Sequence, residues 1–111
     1  MYTSGNVDTL KEIASAGSTD EIRSYALRLL GSAYRMGKGV ETNYTKARNY
    51  YEDAAALGNL IAISYIGEMY EFGLGEEVNY SSAAWYYQRA IDKGETEYAP
   101  ECLARVQEKM N

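Results

Sequence analysis

The chain carries the same sequence unit twice, and the two copies lie 36 residues apart. Between residues 26–58 and 62–94, 13 of the 33 aligned positions are identical, whereas background residue frequencies give about two by chance. A fixed period of this length is typical of repeat proteins, in which each unit buries its apolar face by stacking on a neighbour. In the first copy the identical residues are Ala26, Gly31, Tyr34, Gly37, Gly39, Glu41, Asn43, Tyr44, Ala47, Tyr50, Tyr51, Ala54 and Gly58.

Each copy predicts two helices separated by a glycine turn. Across residues 26–34 the apolar side chains recur at helical spacing and form one stripe. The glycines of residues 37–39 then end this helix, because glycine adopts positive φ values without a steric penalty. Asn43 follows as the N-cap of the next helix, and Asn79 occupies the same place in the second copy.

The sequences at both ends of the chain indicate incomplete copies of the repeated unit. Thr9 and Ser18 have capping-box spacing to Glu12 and Glu21, and each pair therefore predicts a helix start. The resulting fold class is all-α, with antiparallel helices packed in pairs. The six predicted helices span residues 8–16, 21–36, 43–57, 60–72, 79–93 and 97–110.

Length and composition predict one globular, cytoplasmic domain. A chain of 111 residues with 46% hydrophobic and 24% charged residues suits a single domain over residues 1–111, with full repeats at about 22–58 and 59–94. Cys102 is the single cysteine, which favours a reducing compartment. Residues 1–10 contain no apolar run, and no stretch is long enough to cross a bilayer. We therefore expect a cytoplasmic protein, unless a signal was removed from a longer precursor.

The net charge of −5 lies entirely in the second half of the chain. Residues 1–57 hold seven acids and seven bases, whereas residues 58–111 hold nine acids and four bases. This excess of negative charge repels phosphate groups, so nucleic acid and anionic membranes are disfavoured as partners. A protein with a basic surface is the favoured partner. The alternative is that the acids only form a solvated, solubilising face.

The residue types give little support for catalysis. The chain has no histidine, the usual general base and metal ligand. Cys102 lies on a predicted helix beside apolar residues, which favours a buried, unreactive thiol. Glu68 with Glu71, or Glu76 with Glu77, would need one carboxyl group in an apolar pocket for acid–base work, and nothing in the sequence indicates such burial. We therefore predict no catalytic residues, no metal site and no cofactor, and a protein that is not an enzyme.

Trp85 departs from the repeat, because the first copy has Asn49 in its place. One interpretation is an exposed anchor for a partner, since tryptophan is enriched at binding hot spots. The preferred interpretation is that the ring packs against the preceding turn.

The repeat resembles the Sel1-like repeat, a relative of the tetratricopeptide repeat. That resemblance implies an α/α right-handed superhelix, or solenoid, that acts as a protein-interaction scaffold; bacteria use many such proteins. The second copy matches less fully, since Ile66, Glu76 and Ser82 replace family residues. The first copy supplies the family's pattern as Ala26, Leu30-Gly31, Tyr34, Gly37-Lys38-Gly39-Val40, Asn43-Tyr44, Lys46-Ala47, Tyr50-Tyr51 and Ala54-Ala55-Ala56-Leu57-Gly58-Asn59.

The resemblance also implies where a partner would bind. In such superhelices the first helix of each pair lines the concave surface. Repeat spacing then selects the positions that the core does not use, and these predict a groove that is basic at one end and acidic at the other. The candidate protein-binding residues are Tyr25, Arg28, Ser32, Arg35, Ile61, Ser64, Glu68, Glu71, Tyr98, Glu101, Arg105 and Glu108.

These observations predict a non-enzymatic protein–protein interaction module that binds a partner through its concave face. Its size and acidity suit one refinement, an immunity-type or inhibitor protein that covers a basic toxin or enzyme. Two alternatives stay open at this point: an assembly adaptor that bridges two proteins, and an end segment of a longer structural solenoid.

Overall fold

Six α-helices and no strands make up residues 4–111, the part of the chain that the computed structural model describes. All six predicted helices are confirmed in type and order. None of the helices in this part of the chain is both long and apolar enough to cross a membrane. Residues 1–3 lie outside the described residues, and they are part of the segment 1–10 in which the sequence shows no apolar run. The helices are α1 (Ser4–Ala16), α2 (Asp20–Met36), α3 (Tyr44–Ala56), α4 (Leu60–Phe72), α5 (Tyr80–Asp92) and α6 (Ala99–Met110).

The repeated asparagines cap the second helix of each repeat, as predicted. The Asn43 side chain accepts a hydrogen bond from the Lys46 amide at 3.0 Å, and Asn79 accepts one from the Ser82 amide at 2.9 Å. Gly37, at the end of α2, has φ 69°, in the left-handed region that favours glycine. The first helix of the repeat therefore ends, and the second begins, at equivalent positions in both copies, whereas α2 begins earlier than α4.

The two predicted capping boxes are wrong. Thr9 lies inside α1, which begins at Ser4. The reason is packing: Val7 is buried in one cluster with Leu30 and Ala33 of α2, and this burial favours a longer helix.

The start of α2 also differs from the predicted one, by a single residue. Its N-cap is Thr19 rather than Ser18, and the Thr19 side chain accepts a hydrogen bond from the Ile22 amide at 3.1 Å. Either hydroxyl has the chemistry of an N-cap, so residue type alone did not distinguish them.

The chain divides into two compact units, and the first ends at Asn59. Unit 1 contains α1–α3, and unit 2 (Leu60–Asn111) contains α4–α6. The prediction of a single domain over the whole chain stays a prediction. Unit 1 has a core cluster of Val7, Leu30 and Ala33, and unit 2 has one of Ala83, Tyr87, Cys102 and Val106.

A buried tyrosine lies against a helical glycine in each unit. A Cβ atom added to Gly31 would lie 2.5 Å from ring carbons of Tyr51, and one added to Gly67 would lie 2.7 Å from a ring carbon of Tyr87. Both tyrosines are fully buried. Glycine is therefore needed at these two positions because the aromatic ring of the next helix occupies the space of a side chain.

Candidate functional site

On α2, the predicted binding residues include an exposed aromatic ring next to a cation. Tyr25 is 52% exposed, and the Arg28 guanidinium carbon lies 4.9 Å from the centroid of the Tyr25 ring. Arg35, in the last turn of α2, is half-buried. Ser32 is instead used inside the unit, because its hydroxyl lies 2.9 Å from the Tyr51 hydroxyl at hydrogen-bond distance. In unit 1 Tyr25 is therefore the exposed member of the predicted set, and the half-buried Arg28 lies against its ring.

On α4, the predicted residues are mostly inside unit 2 rather than on its surface. Ser64 is fully buried, Glu71 is 2% exposed and Glu68 is 8% exposed. Ile61 is half-buried. The expectation that neither glutamate is buried is therefore wrong, and the pair is not an exposed acidic patch.

Glu71 is buried because three side chains of unit 2 donate four hydrogen bonds to it. Arg105 donates from Nε to Oε2 and from Nη2 to Oε1, both at 2.8 Å. Lys109, one turn further along α6, donates to Oε2 at 2.8 Å. The Tyr87 hydroxyl donates to Oε1 at 2.6 Å. The carboxylate thus joins α4, α5 and α6.

The Phe72 ring lies beside both cations of this network. The Lys109 Nζ atom is 4.7 Å and the Arg105 Cζ atom 5.4 Å from its centroid. A ring face so close to two cations adds attraction to the ion pairs. Phe72 is 49% exposed, and these contacts are made by the side of the ring that faces unit 2.

The network keeps Glu71 ionised. Burial alone raises the pKa of its carboxyl group, but the hydrogen bonds from Arg105, Lys109 and Tyr87 outweigh burial and lower the pKa from 4.5 to about 2. The pKa of the Tyr87 hydroxyl is raised, mainly by burial and to a smaller extent by the hydrogen bond to Glu71. A carboxylate with this pKa and four donors is a poor general base near neutral pH. Glu71 is therefore a structural residue.

The second buried acid of α4 is bound by the residue directly before α6. The Tyr98 hydroxyl donates a hydrogen bond to Glu68 Oε2, and the Tyr98 ring meets the Tyr65 ring edge-on with centroids 5.9 Å apart. Burial raises the pKa of both the Tyr98 hydroxyl and the Cys102 thiol. Cys102 is fully buried, so the prediction of a buried thiol is confirmed, and its raised pKa disfavours the reactive thiolate.

At Tyr98, directly before α6, and on α6 itself, two of the four predicted residues stay at the surface. Arg105 and Tyr98 are half-buried and bind the acids of α4, as described above. Glu101 and Glu108 are exposed and, being seven residues apart, share one face of the helix. These two carboxylates are the acids of the predicted set that a partner can reach.

The sequence interpretation missed two features of unit 2. Trp85 is 56% exposed, so the preferred interpretation that it packs against the preceding turn is wrong. Glu95 is buried, and its carboxylate accepts hydrogen bonds from the Tyr98 amide at 2.9 Å and the Ala99 amide at 2.7 Å. It therefore caps α6. The missing Ser, Thr, Asp or Asn directly before α6 was a signal that the cap comes from elsewhere.

The fold matches solved repeat proteins that are longer than this chain. A protective antigen present in uropathogenic Escherichia coli strains, which displays an SLR fold, is 26% identical with a TM-score of 0.81. The match covers 97% of this chain and 22% of that one. A Sel1 repeat protein from Oxalobacter formigenes is 25% identical with a TM-score of 0.64, and the match covers 82% of this chain and 35% of that one.

The family profile matches both repeats. The Sel1 repeat is found at residues 24–59 and 60–95, which agrees with the two copies of the sequence unit. No curated protein matches this chain in sequence. The two matched repeats, together with the helical fold of the solved relatives, show that the chain belongs to the Sel1 repeat family, whose repeats generally form protein–protein interaction modules.

Proposed function

We propose that this protein is a non-enzymatic binding module that contacts a partner protein through the exposed members of the predicted set. The observation that carries the proposal is the Tyr25–Arg28 pair on α2. More than half of the Tyr25 surface is exposed, and the Arg28 guanidinium lies over its ring. Tyrosine and arginine are enriched among residues that dominate binding energy. A partner that covers this ring gains apolar contact at a low cost in side-chain entropy.

We further propose that the partner presents a basic surface to α6. Glu101 and Glu108 are exposed on one face of this helix, and the chain carries a net charge of −5. Long-range attraction of this kind raises association rates and orients the partner. The role of an inhibitor that covers a basic toxin or enzyme stays a prediction, as does the role of an adaptor between two proteins.

The buried acids determine how the proposal has to be tested. Charge reversal at Glu71 would leave Arg105 and Lys109 without their counter-ion inside unit 2, which destabilises the unit. A loss of binding in such a variant would therefore report unfolding rather than contact with a partner. Exposed residues have to be changed instead.

The experiment is affinity co-purification from the native host at low and high salt, with surface variants and matched controls. Tyr25→Ala is paired with Met36→Ala, which removes another half-exposed apolar side chain of α2. Glu101→Lys/Glu108→Lys is paired with a control that makes the same charge change at exposed turn positions, Glu41→Lys/Glu77→Lys.

We expect one stoichiometric partner that weakens at high salt and is lost in the two test variants but kept in both controls. A partner that binds the test variants as well as the wild type would contradict the choice of surface. If the protein also blocks an activity of the partner, the inhibitor role is supported over the adaptor role.

A further inference from the structure

The outward face of α5 in unit 2 carries the single tryptophan of the chain beside charged side chains. Trp85, Gln88, Arg89 and Asp92 lie on one side of the helix, at spacings of three, four and seven residues from Trp85. With Lys93 they line a surface depression of about 290 Å³. The Arg89 Cζ atom lies 5.4 Å from the centroid of the Trp85 ring. We call this group the Trp85 surface.

The cations of the Trp85 surface form no ion pair within the described part of the chain. Unit 2 has four basic residues, and two of them, Arg105 and Lys109, are bound by Glu71. The other two, Arg89 and Lys93, form no ion pair with any residue of the described chain and are exposed. Asp92 lines the same depression and accepts a hydrogen bond from Gln88 at 2.9 Å, so the surface carries two cations and one carboxylate. The surface thus has a net positive charge within a protein whose net charge is −5.

The repeat architecture does not require these residues. At the buried positions of α3 and α5 the two copies are identical, as for Tyr51 and Tyr87. At the outward positions they differ, and Asn49 and Asp53 of the first copy stand where the second has Trp85 and Arg89. A large apolar ring and a cation have therefore replaced a polar and an acidic residue at positions that packing leaves unconstrained. The Trp85 ring meets the Tyr86 ring edge-on with centroids 5.0 Å apart, but 56% of its surface stays exposed to water, which is unfavourable for so large an apolar side chain.

We propose that the Trp85 surface is a second protein-binding site, which takes an acidic peptide segment with an apolar or aromatic side chain. That side chain would cover the Trp85 ring, and neighbouring carboxylates would bind Arg89 and Lys93. Arginine binds carboxylates through two parallel hydrogen bonds, and tryptophan and arginine are typical binding anchors. The site is separate from the function proposed above, because it uses neither Tyr25 nor α6.

An acidic protein segment fits this surface better than nucleic acid does. A tryptophan with two cations can stack on a base and bind phosphates. However, a nucleic acid extends beyond the depression along its backbone, and the net charge of −5 repels a polyanion of that length. A short acidic segment needs only the two local cations.

The test is selection of peptides from a random 12-residue display library with the purified full chain. Bound peptides are then labelled, and their affinities are measured by fluorescence anisotropy for the wild type and three variants. Trp85→Asn and Arg89→Asp introduce the residues of the first repeat, so both are compatible with the fold. Lys38→Asp is the control, since it changes the net charge by the same amount at an exposed residue of unit 1.

We expect the selected peptides to be rich in Asp and Glu around an apolar or aromatic residue. Their dissociation constants should rise at least tenfold in Trp85→Asn and Arg89→Asp, a loss typical of hot-spot residues. Binding should be unchanged in Lys38→Asp and in Tyr25→Ala, which separates this proposal from the function proposed above. Trp85 is the single tryptophan of the chain, so peptide binding should also shift its fluorescence emission to shorter wavelength.

Three results would overturn the proposal. The first is a selection without enrichment of acidic residues over the input library. The second is selected peptides that bind the Trp85→Asn and Arg89→Asp variants as tightly as the wild type. The third is that an oligonucleotide, or a second copy of this chain, binds at lower concentration than the best acidic peptide and is lost in Arg89→Asp.

Discussion

The buried carboxylate of Glu71 should contribute a large share of the stability of unit 2. Glu71→Gln keeps the shape of the side chain but removes the charge that Arg105 and Lys109 neutralise at 2.8 Å. The pKa of Glu71 falls from 4.5 to about 2 in the folded protein, and each tenfold change in proton affinity corresponds to about 1.4 kcal/mol. Relative to the unfolded chain, the folded protein thus favours the ionised form over the neutral carboxyl group by roughly 3 kcal/mol more.

We therefore expect Glu71→Gln to lower the free energy of unfolding by about 3 kcal/mol. For a chain of this length such a loss lowers the melting temperature by about 12 °C. The measurement is urea unfolding at pH 7, followed by circular dichroism. Glu108→Gln is the matched control, because this glutamate is exposed and should change stability by less than about 0.5 kcal/mol.

The pH dependence tests the same reasoning from another side. Because the folded pKa of Glu71 is lowered, its contribution is complete above the unfolded value of 4.5 and is lost as the pH falls towards about 2. The difference between wild type and Glu71→Gln should therefore shrink between pH 5 and pH 2. A difference below about 1 kcal/mol at pH 7, or one that stays constant over this range, would refute the account of the network.

Three further predictions follow from buried groups of unit 2. Ser64 is fully buried, and its hydroxyl has no hydrogen-bond partner among the described residues; Ser64→Ala should therefore leave the free energy of unfolding unchanged or raise it by about 1 kcal/mol in urea unfolding. Gly67→Ala places a Cβ atom 2.7 Å from the Tyr87 ring and should cost about 1–3 kcal/mol in the same assay. Burial and contacts with glutamates raise the pKa of Tyr87 and Tyr98 above 10.0. Their contribution to the free energy of unfolding is therefore complete below pH 10 and is lost as the pH rises above it. In an alkaline titration followed by tyrosinate absorbance, some tyrosines should ionise late in the folded protein, and this late phase should be absent in urea.

The helices of this chain could be predicted because their signals are local and occur twice. Asn43 and Asn79 cap helices through amides three residues away, and Gly37 ends α2 through its own φ angle. These interactions need no knowledge of distant residues. The start of α1 could not be predicted in this way, because it depends on the packing of Val7 against α2.

The candidate site was harder to predict than the fold, because the burial of its residues depends on pairs that are distant in sequence. Glu71 meets cations 34 and 38 residues further along the chain, and nothing within its own repeat indicates this pairing. The residue equivalent to Glu71 in the first copy is Arg35, so comparing the two copies did not indicate a buried acid at this position. For Trp85 the repeat did contain the answer, since the polar Asn49 at the equivalent position indicated an outward-facing site.

The central claim, a protein-binding module that uses Tyr25, is tested most directly by the affinity of the co-purified partner for the wild type and two variants. Isothermal titration calorimetry should give a dissociation constant at least tenfold higher for Tyr25→Ala than for the wild type. The Met36→Ala control should bind like the wild type. Equal affinity in all three proteins would contradict the claim that this surface binds the partner.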